Sequence, residues 1–213
     1  MKIIGLTDIH GRTAYGKEVI EQMRSADLIA IAGDTTNFGG CKEAESVIET
    51  IASINGKIIA VHGNCDQSSA VELLSARHMN LHGTSMTIGD VQFMGIGGSN
   101  KTPFHTPQEY SDEEMKEILT GISESPGIRF RMLISHSPPF KSKVDKMLLG
   151  IHVGSKAVRE YIETSQPDIV LCGHIHEARG FDHIGRTLII NPGPFPKHYV
   201  VIDIDNTIRY QLY

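Results

Sequence analysis

Five apolar runs in this chain each stop at residues that can bind a metal or move a proton. "KIIGL" runs into Asp8 and His10, "LIAIAG" into Asp34, "KIIAVHG" into Asn64 and Asp66, "RMLIS" into His136, and "IVLCG" into His174 and His176. Short apolar runs bounded by turn residues predict buried strands. In open α/β sheets, ligands bind beyond the carboxyl ends of the strands, so these ends can converge on one site.

Between the runs the periodicity turns helical. Over Cys41–Ile54, residues Ala44, Val47, Ile48, Ile51 and Ala52 fall on one face, while Glu43, Glu45 and Glu49 face away. Shorter helices are predicted near Tyr15–Arg24, Ser68–Ala76 and Ser155–Thr164, and one near Asp112–Ile122 opens with a capping box of Ser111 and Glu114. "TSMTIGDVQFMGIGG" predicts a hairpin turning at Gly89-Asp90. The chain closes on four strand runs, "DIVLC", "GRTLIIN", "HYVVIDI" and "TIRYQLY", with a last turn at Asp205-Asn206. Early strand–helix alternation followed by hairpins predicts an α/β fold of mixed sheets with helices outside. Two packed sheets accommodate this many strands better than one wide sheet. No repeat, low-complexity segment or linker interrupts the chain, which predicts a single domain over residues 1–213.

With 40% hydrophobic residues the chain can build a core, and its net charge of −5 gives no global attraction to nucleic acid or an acidic membrane surface. Cys41, Cys65 and Cys172 are sparse, odd in number and free of any CxxC, which argues against a disulfide framework and for a reducing compartment. The apolar stretch of "MKIIGLTDIH" is too short for a signal peptide, and no run approaches the roughly 20 apolar residues of a membrane span. The expectation is a soluble, cytoplasmic protein.

Asp, Asn and His together suit Mn, Fe, Zn, Ni or Co. On a regular strand, side chains two apart point the same way, so the pairs Asp8/His10 and His174/His176 could each offer ligands to one ion. Gly33, Gly63 and Gly173 precede the ligands, where they would free the backbone to turn sharply.

The ordered set D-x-H, G-D, G-N-x-[DE], H and G-H-x-H, from Asp8 to His176, resembles the signature of the calcineurin-like metallophosphoesterase superfamily. "NPGP" at Asn191–Pro194 is similar to a late motif of its small prokaryotic members. The resemblance implies a four-layer αββα sandwich, two mixed β-sheets flanked by helices. It implies two divalent metal ions, drawn from Mn, Ni, Fe or Zn, with Asp8, His10 and His176 on one, Asn64, His136 and His174 on the other, and Asp34 bridging. The implied activity is that of a dinuclear metal-dependent phosphoesterase, in which a metal-bridging hydroxide attacks phosphorus in line. Asn64, Asp66 and His136 are the implied catalytic residues.

Many family members carry histidine where this chain has Cys65. A thiol is a weak donor, so Cys65 reads as a packing residue, and its presence shifts the expectation toward a phosphodiesterase. Two alternatives stand beside that reading: a phosphomonoesterase or phosphatase, and a non-catalytic protein-binding scaffold such as the retromer subunit of this fold. Asp66 is expected to orient a neighbouring ligand, and Asn37 to shape the phosphate side. His62, His105 and His152 are loop histidines able to donate protons, and Ser137 before two prolines reads as loop shape rather than a nucleophile. The implied partner is a phosphate diester, with nucleotides among the candidates. No membrane partner is expected, no basic tract supports nucleic acid, and a homo-oligomer is left open.

Overall fold

In the computed structural model, which describes residues 1–213, the first half of the chain forms β1 (Lys2–Leu6), α1 (Lys17–Ser25), β2 (Leu28–Ala32), α2 (Cys41–Ile54), β3 (Ile58–Val61), α3 (Ser68–Ala76), β4 (Ser85–Ile88) and β5 (Val91–Ile96). The second half forms β6 (Ser99–Asn100), β7 (Glu109–Tyr110), α4 (Asp112–Thr120), β8 (Phe130–Ser135), α5 (Lys156–Ser165), β9 (Ile169–Leu171), β10 (Gly180–Ile184), β11 (Thr187–Asn191), β12 (Val200–Ile204) and β13 (Ile208–Leu212).

One sheet runs β13-β12-β1-β2-β3, parallel through β1, β2 and β3 and antiparallel beyond β1. The other runs β10-β11-β9-β8-β5-β4, parallel in its middle and antiparallel at both edges. Strands β1, β2, β3, β5, β9 and β11 are buried nearly throughout because both of their faces are covered. In β1, Ile3 joins the layer between the sheets, where it meets Phe93, Met132 and Leu171. Its neighbours Ile4 and Leu6 point the other way, to Met23, Val47, Ile48 and Ile51 of α1 and α2. On the far side, Met94, Leu133 and Val170 pack against Met115 and Leu119 of α4 and Val158 and Ile162 of α5. The layers are therefore helix, sheet, sheet, helix, as expected. The inter-sheet layer gathers 18 buried residues. Each large side chain fully buried contributes roughly 1.5–3 kcal/mol, so this layer fixes one sheet against the other, and with them the strand ends that carry the site.

The capping box of α4 forms as predicted: Ser111 Oγ accepts from Glu114 N–H at 3.1 Å, and Ser111 N–H donates to Glu114 Oε2 at 2.7 Å. Strand β10 was not expected. It is an edge strand whose only buried residue is Ile184, and its sequence carries no apolar run. The short pair β6-β7 fastens the ends of the loop between them. No helix is long and apolar enough to cross a membrane.

Candidate metal centre

The ligand-type residues lie just past the strand ends, not on the strands. β1 stops at Leu6, and Asp8 and His10 take left-handed backbone at φ 53° and 48°; Asp34 at 49° and His174 at 69° do the same. The strand alternation expected for Asp8/His10 and His174/His176 therefore does not operate. Loop conformation aims these side chains, held by the bonds from Asp8 N–H to the Gly33 carbonyl at 3.1 Å and from His10 N–H to the Asp34 carbonyl at 2.9 Å. A non-glycine residue in this region costs about 1–3 kcal/mol and persists where the surroundings over-determine it, commonly at functional sites. The glycine expectation also changes. Of the three, only Gly33 has a positive φ, 87°. Gly63 and Gly173 are needed for close approach: a Cβ at Gly63 would lie 2.6 Å from Asp34 Cγ, and one at Gly173 2.7 Å from Asp8 Oδ2.

Asp8 is fully buried, and its carboxylate accepts from Thr7 Oγ1 at 2.9 Å and from His174 N–H at 3.2 Å. His176 Nε2 stands 3.4 Å from Asp8 Oδ1 and 3.3 Å from His10 Nε2. His10 Nε2 also faces Asp34 Oδ2 at 3.7 Å. Asp34 Oδ1 accepts from Cys65 N–H at 2.8 Å and lies 3.5 Å from His136 Nε2. His136 is fully buried, with Nδ1 2.9 Å from the Ala32 carbonyl and Nε2 2.8 Å from Asn64 Oδ1. Asn64 Nδ2 is taken by Thr106 Oγ1 at 3.0 Å, which turns Oδ1 inward. The His174 ring packs edge-on against His136 at 5.0 Å. All seven predicted ligand residues are thus drawn to one place.

The donor chemistry fits divalent cations. A carbonyl can only accept, so Nδ1 of His136 carries a proton, and in the neutral ring Nε2 is then an acceptor. Nε2 then faces two further acceptors, Asn64 Oδ1 and Asp34 Oδ1. Ligand atoms of Asp8, His10 and His176 lie within 4.8 Å of one another, as do those of Asp8, Asp34 and His136. Acceptor atoms converging with so few protons between them are what a cation resolves.

Charge follows the same geometry. Burial pushes the Asp8 carboxyl up, but the hydrogen bond from His176, the neighbouring imidazoles and Thr7 together hold it at about 2. Burial pushes His174 down to about 4, which keeps its ring neutral. His176 is raised, chiefly by its hydrogen bond to Asp8.

Asp66 does not face the acceptor set. Its buried carboxylate accepts from Thr36 N–H at 2.7 Å and Thr36 Oγ1 at 2.8 Å, and from Gly63 N–H at 2.8 Å and Thr35 N–H at 3.2 Å. It clamps the loop carrying Asp34 to the loop carrying Asn64. Cys65 is buried beside the donors, with Sγ among atoms that also include those of His10 and Asp34. Burial and the nearby carboxylates push its thiol far up. Asn37 is exposed and uses its backbone N–H on Glu43 at 3.1 Å.

Sequence reasoning missed the braces. Thr7, Thr106 and the Ala32 carbonyl orient the ligands, and a threonine beside an aspartate or a strand carbonyl carries no distinctive signal. The "NPGP" segment had a signal but no assigned role. Asn191 Nδ2 donates to the Ile175 carbonyl at 2.9 Å, fixing the residue between His174 and His176, and Phe195 N–H donates to the Thr7 carbonyl at 3.0 Å. A cavity of about 530 Å³ opens beside Asn64, His174 and His176, walled by Lys101, Phe104, Phe140, His152 and Lys156.

The family model described as a calcineurin-like phosphoesterase superfamily domain matches residues 1–207. An uncharacterized protein of Methanocaldococcus jannaschii is 39% identical over 209 residues, 95% of this chain and 92% of that protein. A dimetal phosphatase from Danio rerio superposes with a TM-score of 0.67 at 11% identity, over 100% of this chain and 95% of that one. An archaeal phosphodiesterase superposes with a TM-score of 0.52 at 18% identity, over 100% of both chains. At these identities the two structures share the fold with this chain.

Proposed function

The chain belongs to the calcineurin-like phosphoesterase superfamily, and from that premise we propose that residues 1–213 form a single metallophosphoesterase domain that hydrolyses phosphate diesters with two divalent metal ions. Asp8, His10 and His176 would hold one ion, Asn64, His136 and His174 the other, with Asp34 between them. Mn, Ni, Fe or Zn suits this ligand set. The observation that carries the reading is the inward-facing acceptor set, above all His136 Nε2 against Asn64 Oδ1 at 2.8 Å.

Bound divalent ions would polarise the phosphoryl group and supply a nucleophile from water near neutral pH. The chain's own residues hold everything else still. The Ala32 carbonyl fixes the His136 ring, Thr106 fixes the Asn64 amide, and Asp66 keeps the two ligand loops in register. The preference for diesters rests on the room beside the donors. Its lysines can meet ester oxygens and its aromatic rings can take a flat or apolar second arm, such as a nucleoside. All three cysteines are unpaired, in keeping with a reducing, cytoplasmic setting.

The test is turnover of bis-p-nitrophenyl phosphate against p-nitrophenyl phosphate, by protein of measured Mn or Ni content. Faster diester turnover is expected. Faster monoester turnover would reassign the protein as a phosphatase. Metal-loaded protein inert on both would favour a binding scaffold.

A further inference from the structure

An alcohol leaving group departs poorly as an alkoxide, so a diesterase acting on unactivated esters needs a proton donor on the leaving side. Cys65 is buried, its Sγ accepts from Asn64 Nδ2 at 3.6 Å, and it lies outside the cavity wall. Three loop histidines remain, and the fold separates them. His62 is 1% exposed and turned to the Tyr110 hydroxyl at 3.2 Å. His105 is exposed on its loop and lies outside the cavity wall. His152 lines the cavity that Asn64, His174 and His176 also line.

His152 is also held. Its Nδ1 lies 2.6 Å from Asp145 Oδ1. Asp145 is itself fully buried, and its carboxylate accepts from the N–H groups of Lys141, Ser142 and Gly154 at 3.0, 3.0 and 3.1 Å. A carboxylate fixed by backbone donors fixes the imidazole bound to it. With Nδ1–H donating to Asp145, Nε2 is the nitrogen free for the cavity. A buried acid orienting a half-exposed histidine beside a reaction site is the arrangement by which histidine is set up for proton transfer.

We propose that His152 is the general acid for the leaving group, with Asp145 as its positioning residue; the inference rests on the diesterase reading above. Water oxygen bonds to phosphorus as the P–O bond to the leaving group breaks. That bond's electron pair goes to the leaving oxygen, which takes the Nε2 proton of the imidazolium and departs as an alcohol. The proton released by the attacking water restores the imidazolium through solvent, so a diester and water become a monoester and an alcohol. The inference assigns a specificity as well: the protein handles diesters of ordinary alcohols and not only activated aryl esters.

The experiment compares His152→Asn and His152→Ala with wild type on two diesters sharing one retained group, one with a p-nitrophenoxide leaving group and one with an alkoxide. Loss of about 10²–10⁴-fold on the alkyl ester, with little change on the aryl ester, is expected, because p-nitrophenoxide leaves without help. Added imidazole should restore alkyl-ester turnover in His152→Ala, a rescue that a merely structural role would not give. Equal losses on both esters, or none on either, overturn the inference while the diesterase reading stands. Wild type inert on both esters overturns that reading, and this inference with it.

Discussion

His136 Nε2 and Asn64 Oδ1 meet at 2.8 Å, acceptor to acceptor when the imidazole is neutral. The Ala32 carbonyl fixes the histidine proton on the far nitrogen, and the Thr106 hydroxyl holds the amide nitrogen away. With a neutral imidazole, a cation shared between the two atoms would resolve the contact, and added metal tests that directly.

Divalent metal should stabilise the folded chain. At a hundredfold excess over the dissociation constant, binding contributes about 2.7 kcal/mol. For a chain of this size that is a rise in melting temperature of roughly 5–11 °C. Differential scanning calorimetry with Mn added, then removed by chelator, checks it. His136→Ala and Asn64→Ala should lose most of the rise, and an undiminished rise in either would place the metal elsewhere.

Asp66→Asn should destabilise the chain by about 2–4 kcal/mol, because the amide places N–H groups against backbone N–H donors that the carboxylate now satisfies. Urea denaturation of the metal-free protein reads this. An unchanged midpoint would remove Asp66 from its role as the clamp between loops.

Gly63→Ala should weaken metal binding without help from backbone strain. The added Cβ would lie 2.6 Å from Asp34 Cγ, so the carboxylate between the two proposed ion positions must move. Isothermal titration is expected to show at least a tenfold loss of affinity, a difference of about 1.4 kcal/mol. Wild-type affinity in this variant would show that the Asp34 position is not critical.

Glu109 links acid pH to the loop that orients Asn64. Burial pushes its carboxyl up, but hydrogen bonds from Thr102 and Thr106 outweigh that and hold it at about 2 against an ordinary 4.5. The folded state therefore binds the proton less readily than the unfolded one. Its stabilising contribution is present above about 4.5 and is lost as pH falls toward 2. Stability curves of wild type and Glu109→Gln should converge over that window and separate above it. A gap that stays constant with pH would contradict the sign.

Of the three thiols, Cys41 alone should react quickly with a thiol reagent in the native protein, since it is exposed while Cys65 and Cys172 are buried. Release of one equivalent in the fast phase is the expected result. Two fast equivalents would mean that the metal centre opens to solvent.

That these Asp, Asn and His residues would gather in one place was legible because metal-binding residue types are few. Only a few side chains bind such ions, and they recurred at the ends of apolar runs whose strand character follows from burial on both faces. Two packed sheets with helices outside followed from the same runs, and the structure alternates Ile3 toward the other sheet with Ile4 toward the helices. What escaped was whatever depends on neighbours remote in the chain. Edge strand β10 has too little apolar surface to announce itself. The left-handed backbone of Asp8, His10, Asp34 and His174 is imposed by contacts between loops, so local propensity argues against it.

Which residue types gather at the strand ends was thus written in the chain, because those types are few. Their roles were not, because a role is set by which atom faces which. Asp66 and Asn64 stand two apart in one motif, yet one clamps loops and the other faces His136. Likewise His62, His105 and His152 are equivalent as letters. Only the packed fold buries one, exposes another, and sets the third against Asp145 in the wall of the cavity that Asn64, His174 and His176 also line.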